Sequence, residues 1–148
     1  MADRISVMHE GHIVQAASPI EVYRNPAARF VASFIGNPPM NFLPATPAGR
    51  GQWQVAGQTF GGPSADKPSL QFAIRPEDMQ TAEQGLKATA KIVEPLGAHL
   101  LVTCQIDDAL FRVILDSDTV VKPGQTLTLA PQPDRVRWFD PETTLAVA

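Results

Sequence analysis

One cysteine, Cys104, stands in the whole chain, which excludes an internal disulfide and fits a reducing compartment. No run approaches the ~18–20 consecutive apolar residues that a membrane-spanning helix needs, and no apolar leader opens the chain. A soluble, cytosolic protein is expected. Lys and Arg number 12 against 15 Asp and Glu, and the basic residues are not clustered in sequence. A nucleic-acid surface is disfavoured, because phosphate contacts need grouped cations. A phosphate-binding loop is missing as well. Gly49-Arg50-Gly51 and Gly61-Gly62 have neither the lysine nor the following helix that the loop's chemistry requires. These absences together predict a chain that cannot run a full catalytic cycle alone, an accessory module and the tail of something larger.

What the sequence does have is enough apolar matter for a core. Hydrophobic residues make up 44% and charged residues 18% of 148 positions, a globular balance. The 14 prolines and 10 glycines are scattered, which suits short strands joined by turns. Residues 1–36 read as ββαα: Ile5–Met8, a turn at His9-Glu10-Gly11, His12–Ala16, then two short helices. Ser18-Pro19-Ile20-Glu21 predicts a capping box, with Glu21 reaching back to Ser18. Asn25-Pro26 predicts a second helix start, running through Phe30, Val31, Phe34 and Ile35 to a left-handed Gly36.

Pro38-Pro39 then blocks helix, and Met40-Asn41-Phe42-Leu43 reads as extended chain. Beyond it, alternation with period two dominates. Leu70, Phe72 and Ile74 share a face, as do Ala88, Ala90 and Ile92. So do Leu100, Val102, Cys104 and Ile106, then Phe111, Val113 and Leu115, then Leu127 and Leu129. Weaker strands are expected around Trp53–Val55 and Thr59–Phe60. Turns fall at Asp107-Asp108, Asp116-Ser117-Asp118, Lys122-Pro123-Gly124 and Asp140-Pro141. One-faced strands at this spacing need a closed or two-layered sheet, and a small β-barrel fits best.

Residue types that could carry chemistry each have a plainer role. His9 and His12 straddle a turn, with His99 and Cys104 distant, so no set of four zinc ligands in local pairs is expected. Strand parity puts Cys104 on the apolar face, where a thiol is packing rather than a nucleophile. Asp107-Asp108 and Asp116 with Asp118 sit where Asp stabilises turns, and Glu77-Asp78 is a third acidic pair. Trp53 and Trp138 suit a core better than a stacking platform.

The spacing of Asp3-Arg4-Ile5 (with Ala2 before it), Met8, Gly11, Ile13, Gln15, Pro19, Glu21, Tyr23, Pro26, Phe30-Val31-Ala32, Phe34-Ile35-Gly36, Pro38 and Met40-Asn41-Phe42 forms one pattern. It resembles the end of the ATP-binding subunit of ABC importers, in the carbohydrate and glycerol-phosphate branch. Ala73-Ile74-Arg75-Pro76-Glu77-Asp78 is similar to that family's β-domain signature, and Val93-Glu94-Pro95-Leu96-Gly97 to its second. Ala17 stands where relatives often have Gly, and Asp78 where they often have His.

The resemblance implies a mainly β fold: an OB-like TOBE barrel over residues 37–148, preceded by the last elements of an ATPase domain over 1–36. It implies a regulatory and dimerisation module without ATP hydrolysis of its own. The alternative is a small-ligand sensor for an oxyanion or sugar, and an OB-type nucleic-acid binder ranks below both. No catalytic, metal or cofactor-binding residue is assigned; ATP and Mg²⁺ would sit on the upstream domain. The implied partners are a second copy, the upstream ATPase domain, membrane permease subunits at the inner face of the cell membrane and a regulatory protein. Pro38, Met40, Asn41 and Phe42 would dock the linker. Arg75, Pro76, Glu77, Glu94 and Gly97 would be signature and partner-contact residues, with Arg75 and Glu77 pairing across the strand corner. Ile20, Tyr23, Phe30 and Phe34 would be left without their usual cover.

Overall fold

The computed structural model describes residues 3–148; Ala2 of the first motif lies outside them. The chain opens with an antiparallel hairpin, β1 (Ile5–His9) and β2 (His12–Ala17), and two six-residue helices, α1 (Pro19–Arg24) and α2 (Arg29–Phe34). Nine strands follow: β3 (Asn41–Gly49), β4 (Gln52–Val55), β5 (Gln58–Gly61), β6 (Leu70–Ile74), β7 (Met79–Leu96), β8 (His99–Ile106), β9 (Ala109–Asp116), β10 (Thr126–Pro131) and β11 (Arg137–Phe139). They form two antiparallel sheets, in the orders β10-β7-β8-β9 and β11-β6-β3-β4-β5, curled into a half-barrel around one core. The fold is the mainly β architecture that strand alternation predicts, with the OB-like form that the resemblance implies and the short ββαα unit before it. No helix among the described residues is long and apolar enough to cross a membrane.

Most predicted faces point inward. Leu70, Phe72, Ile74, Val102, Cys104, Ile106, Phe111, Val113, Leu127 and Leu129 are all buried. Ile92 is the exception and is half exposed. The β7–β8 register shifts between Ala90 and Ile92, so the extra residue turns the side chains beyond it to the other face. A larger irregularity in β7 lets it serve both of its neighbours. Its pairing with β10 jumps from Lys87 opposite Thr128 to Thr81 opposite Leu129. Gly85 lies in that jump, where an added Cβ would fall 2.2 Å from the Leu129 carbonyl oxygen, so only glycine admits the close approach.

Three local expectations are corrected. The Ser18 hydroxyl accepts from the Glu21 amide at 3.2 Å, but Glu21 does not complete a capping box; its carboxylate accepts from Asn25 Nδ2 instead. Asn25 closes α1 rather than opening α2, which starts three residues after Pro26 with Ala28 as its N-cap. Ala27 and Ala28 are taken up in pairing with the C-terminal segment: Ala28 bridges Leu145, and the Ala146 amide donates to the Ala27 carbonyl at 3.0 Å. Finally, Arg75 and Glu77 do not pair with each other, for the reason that follows.

Candidate functional site

Arg75 leaves the end of β6 and turns away from the barrel into residues 1–36. Its side chain is only 3% exposed. Nη1 donates to the Ile35 carbonyl at 2.6 Å and the Ala32 carbonyl at 3.3 Å, and Nη2 donates to the Tyr23 carbonyl at 2.9 Å. These oxygens belong to the last turns of α1 and α2 and the residue just after, where helices leave carbonyls without partners. A cation satisfies them well, and the planar guanidinium fork reaches both helix ends at once. The guanidinium carbon also lies 4.2 Å from the centre of the Tyr23 ring. The Tyr23 hydroxyl in turn donates to the Glu77 carboxylate. Arg75 and Glu77 thus act on opposite ends of one tyrosine.

Gly36 makes room for this arrangement. Its φ is +107°, and an added Cβ would lie 2.7 Å from Arg75 Nη1. Pro76 is buried at the start of a short 3₁₀ turn, Pro76–Asp78, that swings the chain from β6 into β7. The enclosure perturbs ionisation. Burial lowers the Arg75 pKa from its ordinary value, although a guanidinium stays charged. Burial, then the bond to Glu77, pushes Tyr23 up to about 12. Burial, then the charge of Glu77, raises Asp78.

Asn41 works beside this seam. It is buried on β3, where Nδ2 donates to the Arg112 carbonyl at 2.7 Å and the Ile74 carbonyl at 3.3 Å. Its Oδ1 accepts from the Arg112 amide at 2.8 Å. The side-chain amide therefore serves the outer edge of β9 as one residue of a neighbouring strand would, linking the two sheets. Met40 is buried with Ala32, Ala73 and Phe139, and Phe42 packs on Phe139 under the Arg29 guanidinium. Pro38 is half-buried in the connection between α2 and β3. The structure thus gathers Met40, Asn41, Phe42, Arg75, Pro76 and Glu77 around one region. Glu94 and Gly97 lie elsewhere, exposed at the tip of the β7–β8 hairpin.

A second set of ties gave no periodic or motif signal in the sequence. The C-terminal residues form a strap: the Arg29 amide donates to the Thr144 carbonyl at 2.8 Å, and Phe139 bridges Ala146. Arg137 Nε donates to the Arg24 carbonyl at 2.8 Å. Asp140, nearly buried, holds the strap's turn by accepting from the Glu142 amide and pairs with Lys67 at 3.0 Å. The Asp140-Pro141 turn was legible; the residues it folds back onto were not.

The remaining candidates take structural places. Cys104 is fully buried and burial pushes its thiol up to about 11, far from a reactive thiolate. Trp53 and Trp138 are buried with ring centres 6.2 Å apart, and Trp53 Nε1 donates to the Pro63 carbonyl. His9 stacks on Phe30 at 4.0 Å. Among the described residues no three His, Cys, Asp or Glu side chains come together as metal ligands would.

Comparison with known proteins agrees with this architecture. Residues 72–139 match the TOBE domain. The chain is 37% identical to an uncharacterized ABC transporter ATP-binding protein, y4oS, of Sinorhizobium fredii, the alignment covering 100% of this chain and 42% of that protein. It is 33% identical to the sn-glycerol-3-phosphate import ATP-binding protein UgpC of Ruegeria pomeroyi, over 100% of the chain and 43% of the relative. For UgpC of Ralstonia nicotianae the figures are 35% identity, 97% and 44%. The chain thus spans less than half the length of these relatives. It belongs to the family of TOBE-domain ATP-binding proteins of ABC importers and corresponds to their C-terminal part.

Proposed function

We propose that the chain is the regulatory module of the ATP-binding subunit of an ABC importer for glycerol phosphate or a sugar, and that it hydrolyses no ATP itself. The observation that carries this reading is the whole-chain alignment with import ATP-binding proteins across both the ββαα unit and the barrel. In this reading residues 1–36 end the ATPase domain, 37–148 form the regulatory barrel, and the Arg75 seam joins them. A barrel so fastened can pass its state to the ATPase as a rigid body. The intact assembly would sit at the inner face of the cell membrane against permease subunits.

A hybrid tests the reading. The corresponding part of Ruegeria pomeroyi UgpC is replaced by this chain, and ATP hydrolysis and glycerol-phosphate uptake are measured. Both activities should persist in the hybrid, with no hydrolysis by the chain alone. A folded hybrid without hydrolysis or uptake, or ATP turnover by the isolated chain, would refute it.

Self-association belongs to the same proposal. Met8, Ile13, Ile20 and Phe34 are each at least 59% exposed, all within residues 5–35. Such apolar surface favours a partner, and a second copy is the one expected in the isolated chain. Light scattering should give a dimer mass; a monomer at every concentration would contradict this part.

A further inference from the structure

We infer that residues 140–147 are a releasable strap, docked in a strained conformation, whose opening frees the first turn of α2 while the barrel stays folded. Among the described residues four non-glycine positions have positive φ: Glu10, Ala56, Asp107 and Thr144. The first three each open a two-residue hairpin turn, between β1 and β2, β4 and β5, and β8 and β9, where the favoured turn types need that conformation. Thr144 has no hairpin to explain it. Its φ is +63°, and a β-branched side chain there crowds its own main chain. It closes a single turn, its amide donating to the Asp140 carbonyl at 2.8 Å, at a place that usually takes glycine.

Bonds on both sides hold the strained residue in place. The Thr144 carbonyl accepts from the Arg29 amide at 2.8 Å, and its side chain is exposed. The Asp140 amide donates to the Leu145 carbonyl at 2.9 Å, the Ala146 amide to the Ala27 carbonyl at 3.0 Å and the Val147 amide to the Trp138 carbonyl at 2.9 Å. Asp140, paired with Lys67, anchors the near end. Breaking the bonds to residues 27–29 lets Thr144 relax, so the strain offsets part of what docking gains and draws the open state nearer. Ala28, the N-cap residue of α2, makes no side-chain cap bond, so the Arg29 amide depends on Thr144 for its acceptor. The other end of α2 is held separately, by Arg75 on the Ile35 carbonyl. Opening the strap therefore loosens one end of the helix only, and its docking sets how firmly the ββαα unit follows the barrel.

Hydrogen exchange of single amides, followed by NMR on the whole chain, tests this and stands apart from the transporter reading, since either can fail alone. The Arg29, Ala32 and Ala146 amides, bonded to Thr144, Ala28 and Ala27, should exchange through one shared opening, ahead of the amides in the β8–β9 ladder. Thr144→Gly removes the strain, an effect larger than the freedom that glycine adds to the open strap, and should slow all three about fivefold. Lys67→Met loosens the Asp140 anchor and should quicken them about threefold. Thr144 is exposed and the Lys67 side chain is 44% exposed, so folding should survive both changes. In each variant the Ile35 amide, bonded to the Val31 carbonyl at the end that Arg75 holds, should keep its rate. Exchange of the three only together with the β8–β9 ladder would overturn the strap as a separate unit. So would Ala32 exchanging independently of Arg29 and Ala146, or Thr144→Gly leaving the rates unchanged or raising them.

Discussion

Among the described residues, twenty buried apolar side chains drawn from both sheets meet inside the barrel, whereas the hairpin and helices before it share a buried cluster of three, Val7, Val22 and Val31. The barrel's cohesion is spread over many contacts that have no direction. The ββαα unit relies instead on a few directional bonds: Arg75 to three carbonyls, Tyr23 to Glu77, and the strap at Ala27 to Arg29. Distributed cohesion fails gradually or all together. Concentrated cohesion can be removed at one residue while the barrel stays intact. Each region also carries its own reporter, because the chain has one cysteine, inside the barrel, and one tyrosine, at the seam.

The largest effect is expected from the barrel side. Phe111 is fully buried, and Phe111→Ala should cost about 3–5 kcal/mol through lost transfer energy and the cavity left behind. Denaturant titration should show a lower midpoint, and Cys104 should become reactive to a thiol reagent. If the seam depends on the barrel, Tyr23 should lose its protection in the same transition.

Arg75→Ala reverses that test. It leaves the Tyr23 and Ile35 carbonyls without their side-chain donor, the Ala32 carbonyl keeping only the Met40 amide at 3.4 Å, and should cost about 2–3 kcal/mol. If the seam opens, Tyr23 becomes exposed and leaves Glu77, and ultraviolet titration of this tyrosine should move from about 12 toward its ordinary value of 10.0. If the seam holds, losing the Arg75 charge, which lowers Tyr23, should leave the titration as high or higher. The sign follows from the raised native value: the bond's contribution is present below pH 10 and fades as pH climbs through the native midpoint. Cys104 should stay protected. Should thiol and tyrosine respond together, the two regions would be one cooperative unit. Arg75→Lys should not rescue, because one ammonium cannot serve carbonyls at both helix ends.

How far the sequence revealed these two regions follows from the same contrast. Inward alternation such as Val102, Cys104 and Ile106 is a local signal, and it located β8 and its face correctly. Ile92 escaped because a register shift is set by the neighbouring strand and leaves no trace in the alternation itself. The seam was half legible. Asn41 stands in the linker segment that the sequence singles out, and its side chain bonds main chain at Ile74 and Arg112. Arg75 was assigned to its near neighbour Glu77, yet its partners lie 40 to 52 residues earlier in the chain. Nothing in the spacing encodes contacts at that separation. The Lys67–Asp140 pair and the strap were invisible for the same reason.

Gly36→Ala probes the seam more gently. A methyl group 2.7 Å from Arg75 Nη1, at a residue whose φ is +107°, must displace the guanidinium and strain the backbone. The expected cost is about 1–2 kcal/mol. Tyrosine titration should fall part of the way that it does in Arg75→Ala, with Cys104 unaffected. A stability loss with no change at Tyr23 would mean that the glycine serves the chain turn alone.

The smallest effect sharpens the comparison through two aspartates of opposite sign. Asp140 anchors the strap, and its pKa is lowered, first by the bond from Lys67. Its contribution is therefore present above the ordinary value of 3.8 and is lost as acid protonates it through the lower native one. Asp78 borders the seam, and burial raises its pKa. Its ionised form is disfavoured in the native state, so acidification relieves a penalty as pH falls through that raised value. Between neutrality and pH 4 the seam should hold or gain while the strap keeps its pair; below that, the strap should weaken first. Lys67→Met should reduce the strap's acid dependence without abolishing it, because the Glu142 and Thr143 amides still lower Asp140, and Asp78→Asn should remove the seam's, each read from denaturation midpoints across pH. If Lys67→Met left the acid limb unchanged, the strap would owe its hold on residues 27–29 to main-chain pairing alone.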